Sequence, residues 1–197
     1  ISSLAADIAP QLRVAAEAER PQVIDTLKNL VAIESGTMDA QGVSQIADHL
    51  QGRLEALGAR VDRRSLDGVK GQLLIGRFSG TGKRRLMLIT HMDTIYASGT
   101  LAREPIHIDG DRLYGPGVAD SKGGIAVILH SLKILRDAGW NDYAQLTVLF
   151  NGDEESQSVG SGALITALGA EHDVVLSYEP TAAKAVIQAE GVLLSAA

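Results

Sequence analysis

The sequence contains no cysteine, which excludes disulfide bonds and every metal site built on thiolates. A metal ion in this protein would therefore be held by histidine and carboxylate side chains. Aromatic residues are also scarce, at 4% of the chain. Hydrophobic residues nevertheless make up 45% of the 197 residues, which is enough for one sizeable core.

Excess positive charge is missing as well, since the formal net charge is -6 at pH 7. Nucleic acids and anionic membranes favour basic patches, so we expect neither as a partner. No apolar stretch approaches the roughly 20 residues that span a bilayer, so we expect no membrane insertion. The chain begins at Ile1 rather than Met. A cleaved export signal would explain that start, so a periplasmic or secreted location is slightly favoured over a cytoplasmic one.

Hydrophobic periodicity predicts strands that alternate with helices. Apolar residues recur at helical spacing in four segments, which are therefore predicted helices. They lie after Pro21, which would be a first-turn residue, over 43–57, after Gly123-Gly124, and over 160–168. The predicted strands cover 59–66, 72–78, 85–91, 145–151 and 173–179, and a hairpin turns at Asp109-Gly110. This order predicts an α/β three-layer sandwich around a mostly parallel sheet that is mixed at one edge.

Ionisable residues follow the carboxyl ends of several predicted strands, where sites gather in open α/β sheets. His91 and Asp93 close one apolar run, and their spacing of two sends both side chains to the same side. The other candidates are Asp120 in a glycine-rich loop, and Glu154, Glu155 and Glu179 after strands. These five carboxylates and one histidine would all lie at the edge of the sheet where the strands' carboxyl ends emerge, here called the rim. Without a cation they would repel one another there. The set suits zinc, with manganese or cobalt as alternatives, and its size suggests two ions sharing a ligand.

Each of these signals is weak alone, because glycine-rich helix starts and acidic strand ends are common for backbone reasons. Their joint position at the ends of separate strands is what favours a metal centre. Four other histidines lack this placement, and we expect them to be solvated: His49, His107, His130 and His172. The stretch FSGTGKRR (78–85) resembles a phosphate-binding loop but lacks its first glycine and its hydroxyl residue. It is interpreted as a polar turn between two strands.

Four segments together resemble one family. HMDT (91–94), GPGVADSKGG (115–124), NGDEES (151–156) and SYEPT (177–181) occur in the order typical of di-zinc metallopeptidases of the glutamate carboxypeptidase (carboxypeptidase G) and aminoacylase type. The likeness runs from about Val23 to the end of the chain. It implies the phosphorylase/hydrolase-like fold of a zinc exopeptidase catalytic domain, and a cis peptide bond after Asp120. Gln157 departs from the pattern, since a glycine is common there.

The resemblance also implies metal ligands and two zinc ions in each complete site. His91 and Glu179 would hold one zinc ion, and Glu155 would hold the other. Asp120 would bridge both ions. Asp93 would receive the second ring N–H of His91 and so fix the orientation of the imidazole.

Glu154 would be the general base of the implied reaction, in which a water bridging the metals attacks an amide bond to a C-terminal amino acid such as glutamate. Two alternatives remain open. The same machinery could deacylate N-acyl amino acids, or the chain could be a truncated relative that only binds metal. The presence of Glu154 argues against the second alternative, because metal binding alone needs no base.

The domain organisation expected from the resemblance is an incomplete one. Residues 1–188 would be the amino-terminal part of the catalytic domain, and residues 189–197 would begin an inserted domain used for dimerisation and for gripping substrate. A final zinc-binding histidine would follow that insertion. We therefore expect a homodimer for the complete protein. For residues 1–197 alone we expect little turnover, and one metal on the His91 side bound more tightly than a second.

Overall fold

The structure is a computed structural model that describes residues 2–66 and 68–180. The predicted domain boundary between residues 188 and 189 lies outside this range. The helices of the described residues are α1 (Ser2–Val31), α2 (Ala40–Ala56), α3 (Thr100–Arg103), α4 (Gly124–Asp137) and α5 (Gly162–Ala170). None of them combines the length and the apolar character needed to cross a membrane.

One five-stranded sheet forms the centre of the fold. Its strands are β1 (Arg60–Ser65), β2 (Gln72–Ser79), β3 (Arg85–His91), β6 (Gln145–Asn151) and β7 (Val174–Ser177), arranged in the order β1-β2-β6-β3-β7. β3 is parallel to β6 and β7, whereas β2 is antiparallel to both of its neighbours. β2 is therefore the one strand of this sheet that runs against the rest. The predicted mixed sheet is confirmed, with its mixed part towards the β1 edge.

The sheet buries a different apolar surface on each face, because successive side chains of a strand point to opposite sides. On one face, apolar residues of α1, α2 and α4 pack against Leu74, Val148 and Phe150. On the other face, Leu168 of α5 packs with Leu73 and related strand residues. Helices therefore cover both faces, and the predicted three-layer sandwich is confirmed.

The first helix differs from its prediction, because Pro21 lies inside α1 rather than in its first turn. The helical segment before Pro21 is held against α4 by Glu19, whose carboxylate contacts His130 and Lys133. A proline in a helix removes one backbone hydrogen bond, a loss that tertiary contacts on the preceding turn can offset. The predicted helix after Pro21 is confirmed, but the predicted position of its first turn is wrong.

Two shorter predictions agree with the structure. β4 (His107–Asp109) and β5 (Arg112–Tyr114) form the expected hairpin, and Gly110 at its turn has a φ of 59°. Residues 80–84, which resemble a phosphate-binding loop, form a turn between β2 and β3. Thr81 in that turn donates its backbone N–H to the carbonyl of Asn141 at 2.9 Å, so the segment is tied to a neighbouring loop.

Candidate metal centre

His91 is the last residue of β3, and its neighbour Met92 belongs to the apolar core. The imidazole is 1% exposed. Its Nε2 atom lies 2.9 Å from Oδ1 of Asp120 and 3.4 Å from Oε2 of Glu179. Its Nδ1 atom lies 3.0 Å from the backbone oxygen of Asp93 and 3.4 Å from Oδ1 of the same residue. The ring therefore stands between carboxylates from three segments of the chain.

Asp93 is completely buried, and its carboxylate accepts hydrogen bonds from two further segments. The hydroxyl of Thr37 donates to Oδ2 at 2.7 Å. The backbone N–H groups of Glu154 and Glu155 donate to the two carboxylate oxygens at 3.2 Å each. Asp93 thus holds the turn after β6 against His91, and its position fits the orienting role that the resemblance implied. Thr37 was missed, because a single threonine in a loop carries no recognisable signal.

Asp120 belongs to a kinked turn, Val118–Gly123, in which Asp120 and Ser121 leave helical dihedral angles. The peptide bond between these two residues is cis, as the resemblance implied. Gly117 precedes the turn with a φ of 70°, and a Cβ at this glycine would lie 2.6 Å from Thr94. The glycine-rich sequence therefore lets the turn pass close to the end of β3, where the Asp120 carboxylate reaches His91.

Glu179 lies just beyond β7, where hydroxyl groups bind the adjacent backbone. Thr90 donates to the carbonyl of Tyr178 at 2.9 Å and also lies 3.3 Å from the Glu179 carboxylate. Ser121 donates to the same Tyr178 carbonyl at 3.1 Å, and the Thr90 and Ser121 hydroxyls contact each other. These contacts connect the ends of β3 and β7 to the turn that carries Asp120.

Glu154 and Glu155 stand in a short helical turn, Glu154–Ser156, directly after β6. Burial raises the pKa of Glu154, and the nearby carboxylates of Glu179, Asp93 and Asp120 raise it further against the opposing effect of His91. The pKa of Glu155 is raised in the same way, by burial first and then by Asp120. Both shifts record burial first, and then carboxylates that repel one another.

The third acid of the same stretch, Asp153, faces away from this cluster. It is buried, and its Oδ2 accepts hydrogen bonds from the backbone N–H groups of Gly160 and Ser161 at 2.8 and 3.0 Å. Asp153 therefore holds the loop before α5. Gln157 in that loop has a φ of 67°, the left-handed conformation that glycine adopts most readily. Gln157 thus departs from the family pattern in residue type but keeps the backbone conformation that a glycine would favour.

Two groups of three candidate ligands fit a metal ion among the described residues. His91, Asp120 and Glu179 form the first group, and His91, Glu154 and Glu155 form the second; within each, the ligand atoms lie within 4.8 Å of one another. Nitrogen and oxygen donors of this kind suit zinc, manganese or cobalt. All six predicted residues thus meet at one rim. Asp120 occurs in the first group only, so its bridging role remains a prediction.

The charge of His91 follows from its surroundings. Burial alone would lower the pKa of the imidazole, but Asp93 and Glu179 outweigh that effect and raise the pKa to about 11. The protein groups by themselves therefore favour an imidazolium among the carboxylates. A divalent cation would take over this charge balance and would need His91 in its neutral form.

Lys122 is a buried residue of this region that was not among the predicted site residues. Its side chain is 2% exposed, and Nζ donates to the carbonyl of Ile33 at 2.7 Å. Burial lowers the pKa of the ammonium group to about 8, against the opposing effect of Glu34. The hydrogen bond connects the Asp120 turn to the end of α1. A lysine inside a loop of otherwise small residues was the available signal.

The expectation for the remaining histidines was largely wrong. Only His107 is exposed, and its ring stacks on Tyr114. His130 is buried between Glu19 and Thr26, His172 bonds Thr147 at 2.8 Å, and His49 is partly buried. The apolar stripe of α4 does not reveal the burial of His130, because α4 packs against both the sheet and α1. None of the four belongs to a candidate metal group of the described residues.

Comparison with known proteins places this geometry in a family. The model of the peptidase family M20/M25/M40 matches residues 87–192, a range that contains all six residues of the rim. The chain is also 49% identical over 170 residues to carboxypeptidase G2 of Pseudomonas sp. (strain RS-16), which covers 86% of this chain and 41% of that protein. The chain belongs to this peptidase family. It is therefore a member of a family of metal-dependent hydrolases.

Other similar proteins carry other names. An acetylornithine deacetylase of Aliivibrio fischeri (strain MJ11) is 29% identical over 174 residues, which is 84% of this chain and 45% of the relative. Human carnosine dipeptidase 1 shares the fold with a TM-score of 0.71 at 19% identity, over 85% of this chain and 40% of that one. The chain thus spans less than half the length of these relatives.

Proposed function

We propose that this chain carries the metal-binding rim of a zinc-dependent hydrolase that cleaves the amide bond between an acyl group and a C-terminal amino acid such as glutamate. The observation that carries the proposal is the meeting of candidate ligands from three segments at one buried imidazole, His91. The 49% identity to a protein named carboxypeptidase G2 supports this reaction above others of the family.

The ligands in this proposal are His91, Asp120, Glu155 and Glu179. When bound, divalent ions would polarise the amide carbonyl and favour deprotonation of the attacking water. Asp93 keeps the His91 ring in place, because its backbone oxygen lies 3.0 Å from Nδ1 and its carboxylate 3.4 Å. The Nε2 atom is thereby directed towards the rim, where Asp120 and Glu179 lie.

Glu154 is the proposed general base. A raised pKa makes the carboxylate a stronger base. It would accept a proton from water and then return that proton to the leaving amine. Asp93 accepts a hydrogen bond from the backbone N–H of Glu154 at 3.2 Å, which fixes the turn that carries the base. The protein supplies the base and its orientation, and no side-chain nucleophile is required.

A second candidate reaction is deacylation of N-acyl amino acids. The observation in its favour is the 29% identity to an acetylornithine deacetylase over 84% of this chain. Both reactions break an amide bond with the same residues and differ in the substrate groups recognised on either side. A non-catalytic metal-binding module is the third candidate, and the presence of Glu154 beside the proposed ligands speaks for catalysis instead, because metal binding alone needs no base.

Substrate hydrolysis by the protein expressed from its complete gene tests the proposal. We expect hydrolysis of N-acyl glutamates that a chelator abolishes and added Zn²⁺ restores. Preference for N-acetylated amino acids with basic side chains would instead support the deacylase. Metal binding without hydrolysis of either class would support the non-catalytic module. The same preparation would also show by light scattering whether the protein is the homodimer that the resemblance implies.

A further inference from the structure

Two buried hydroxyl groups lie beneath the candidate metal centre, and neither belongs to a proposed metal ligand. Thr90 precedes His91 in β3 and is 1% exposed. Ser121 follows Asp120 and is completely buried. Successive side chains of a strand point to opposite sides, so Thr90 turns away from the side that His91 faces. A Cβ at Gly124, the first residue of α4, would lie 3.1 Å from each of the two hydroxyl oxygens, so both face the start of that helix.

The two hydroxyl groups share one acceptor, the backbone carbonyl of Tyr178. Thr90 Oγ1 lies 2.9 Å from this carbonyl oxygen, and Ser121 Oγ lies 3.1 Å from it. The two hydroxyl groups also contact each other. A Cβ at Gly124 would lie 2.2 Å from the same carbonyl oxygen, so α4 approaches it as closely as glycine allows. The carbonyl is therefore enclosed by β3, the Asp120 turn and α4.

The carboxylate of Glu179 presents its two oxygens to different neighbours. Oε1 lies 3.3 Å from Thr90 Oγ1, and Oε2 lies 3.4 Å from Nε2 of His91. A carboxylate that is hydrogen-bonded through one oxygen presents the other in a defined direction, and ligands of metal ions are commonly oriented in this way. Thr90 is therefore placed to direct Oε2 towards a metal ion beside His91.

The hydroxyl group of Thr90 has two acceptors within reach but only one proton to donate. A bond to the charged carboxylate of Glu179 is the stronger of the two, but it withdraws the proton from the Tyr178 carbonyl. Ser121 donates to that carbonyl as well, so the carbonyl keeps a donor when Thr90 binds Glu179. Without Ser121, the closer acceptor at 2.9 Å would draw the Thr90 proton. Ser121 thus acts on Glu179 through Thr90.

We propose that Thr90 and Ser121 are positioning residues for the metal ligand Glu179. Thr90 binds Oε1 and so directs Oε2 to the metal, and Ser121 keeps the Thr90 proton available for that bond. This inference rests on the proposed function in one respect, the assignment of Glu179 as a ligand. If the two hydroxyl groups only joined strand ends to the Asp120 turn, their loss would lower stability and leave the zinc affinity of the folded protein unchanged.

Titration of Zn²⁺ against a chelating competitor tests the role of Thr90 in the protein expressed from the complete gene. Thr90→Val keeps the shape of the side chain and removes its hydroxyl group. It should weaken the binding of one Zn²⁺ ion by about tenfold, as loss of a group that orients a metal ligand typically does. Thr90→Ser retains the hydroxyl group and should restore most of this affinity.

Thr147→Val is the matched control for this titration. Thr147 is a completely buried threonine of β6, and its hydroxyl group bonds His172 at 2.8 Å. Neither residue belongs to a candidate metal group of the described part of the chain. Thr147→Val should therefore leave the zinc affinities unchanged, although it also removes a buried hydroxyl group from the sheet.

A double variant tests whether Ser121 acts through Thr90. Ser121→Ala should weaken the same Zn²⁺ ion by up to about tenfold. The Thr90→Val/Ser121→Ala protein should bind zinc as well as Thr90→Val does, because the hydroxyl group of Ser121 has no effect on Glu179 once that of Thr90 is gone. Losses that multiply in the double variant would overturn the dependence of Thr90 on Ser121.

The outcomes separate this inference from the proposed function. Full zinc affinity in Thr90→Val, or an equal loss in Thr90→Ser, would overturn the positioning role and leave hydrolysis by the unmodified protein unaffected. Weaker zinc binding in Thr90→Val that Thr90→Ser restores would support the positioning role, even where absence of hydrolysis overturns the proposed reaction. If Thr90→Val does not fold, Ser121→Ala decides, and full zinc affinity in that variant would overturn the inference.

Discussion

Two buried histidines, His91 and His130, both contact carboxylates, but their surroundings balance charge differently. His130 lies 2.8 Å from Glu19 and 2.8 Å from the hydroxyl of Thr26. The ammonium group of Lys133 lies 3.0 Å from the other oxygen of Glu19, so a cation of the protein completes that network. At His91, carboxylates from three segments surround the ring.

The carboxyl pKa values record the same difference. Burial would raise the pKa of Glu19, but Lys133 and His130 outweigh it and lower the pKa. The pKa values of Glu154 and Glu155 are raised, by burial and by neighbouring carboxylates. A histidine beside an acid is therefore weak evidence for a metal. The informative feature is a cluster in which acidic groups raise one another's pKa.

The largest expected effect separates ligand from base at the His91 cluster. Asp120→Ala should lose metal and activity, because it removes the carboxylate 2.9 Å from Nε2. Glu154→Gln should keep its metal and lose activity by about 10²–10⁴-fold. In the protein expressed from the complete gene, metal content after dialysis, together with kcat, measures both effects, with Glu55→Gln on the exposed face of α2 as control.

A Glu154→Gln protein as depleted of metal as Asp120→Ala would contradict the role of base. It would favour the grouping in which Glu154 itself is a ligand beside His91 and Glu155.

Lys122 provides a buried cation at the metal-centre end of the fold. Its pKa is about 8 when folded and 10.5 in the unfolded chain, so the unfolded state binds more protons between these values. The free energy of unfolding should therefore rise by about 3 kcal/mol as pH increases through this window. Lys122→Met should lack this rise in urea titrations at pH 8 and pH 10, whereas Lys83→Met at an exposed position should retain it. An identical rise in Lys122→Met would show that the ammonium group is not desolvated.

Glu19→Gln should weaken the balanced network at His130. It removes the charge that both His130 and Lys133 contact, so the free energy of unfolding should fall by about 1–3 kcal/mol. In metal-free protein, Glu154→Gln should cause no such loss, because burial and the neighbouring carboxylates both disfavour the charge of Glu154. Thermal or urea unfolding of both variants measures the contrast. Equal losses would mean that the two clusters do not differ in charge balance.

The smallest effect concerns protons released on metal binding. The pKa of His91 is about 11 in the protein without metal, above its ordinary value of 6.5, so the imidazole is protonated at pH 7.5. A metal ligand must be neutral, so binding should release about one proton from His91 at that pH. Calorimetry in buffers of different ionisation enthalpy counts the protons. The favourable interaction of the imidazolium with its carboxylates is lost as pH rises through 11. A release of zero protons at pH 7.5 would contradict the prediction that His91 is protonated without metal.

Much of the fold was predictable from the order of residues. The strands at 72–78, 85–91 and 145–151 were recognised within a residue or so, because apolar runs bounded by polar turns are local signals. The start of α1 was not, since contacts of Glu19 with α4 support helix ahead of Pro21. The burial of His130 was missed for the same reason, because it depends on a partner 111 residues away in sequence.

The candidate site, like the fold, was predictable from the sequence only in part. The type and spacing of residues are covalent properties of the chain. They therefore already placed His91 and Asp93 on the same side of one strand end, and an acidic residue after each of several other predicted strands. The distances among His91, Asp120 and Glu179 depend on how separate elements pack, and so do the hydrogen bond of Thr37 to Asp93 and the burial of Lys122. Packing of the sheet and its helices set those positions, because contacts between distant segments have no signature in local periodicity.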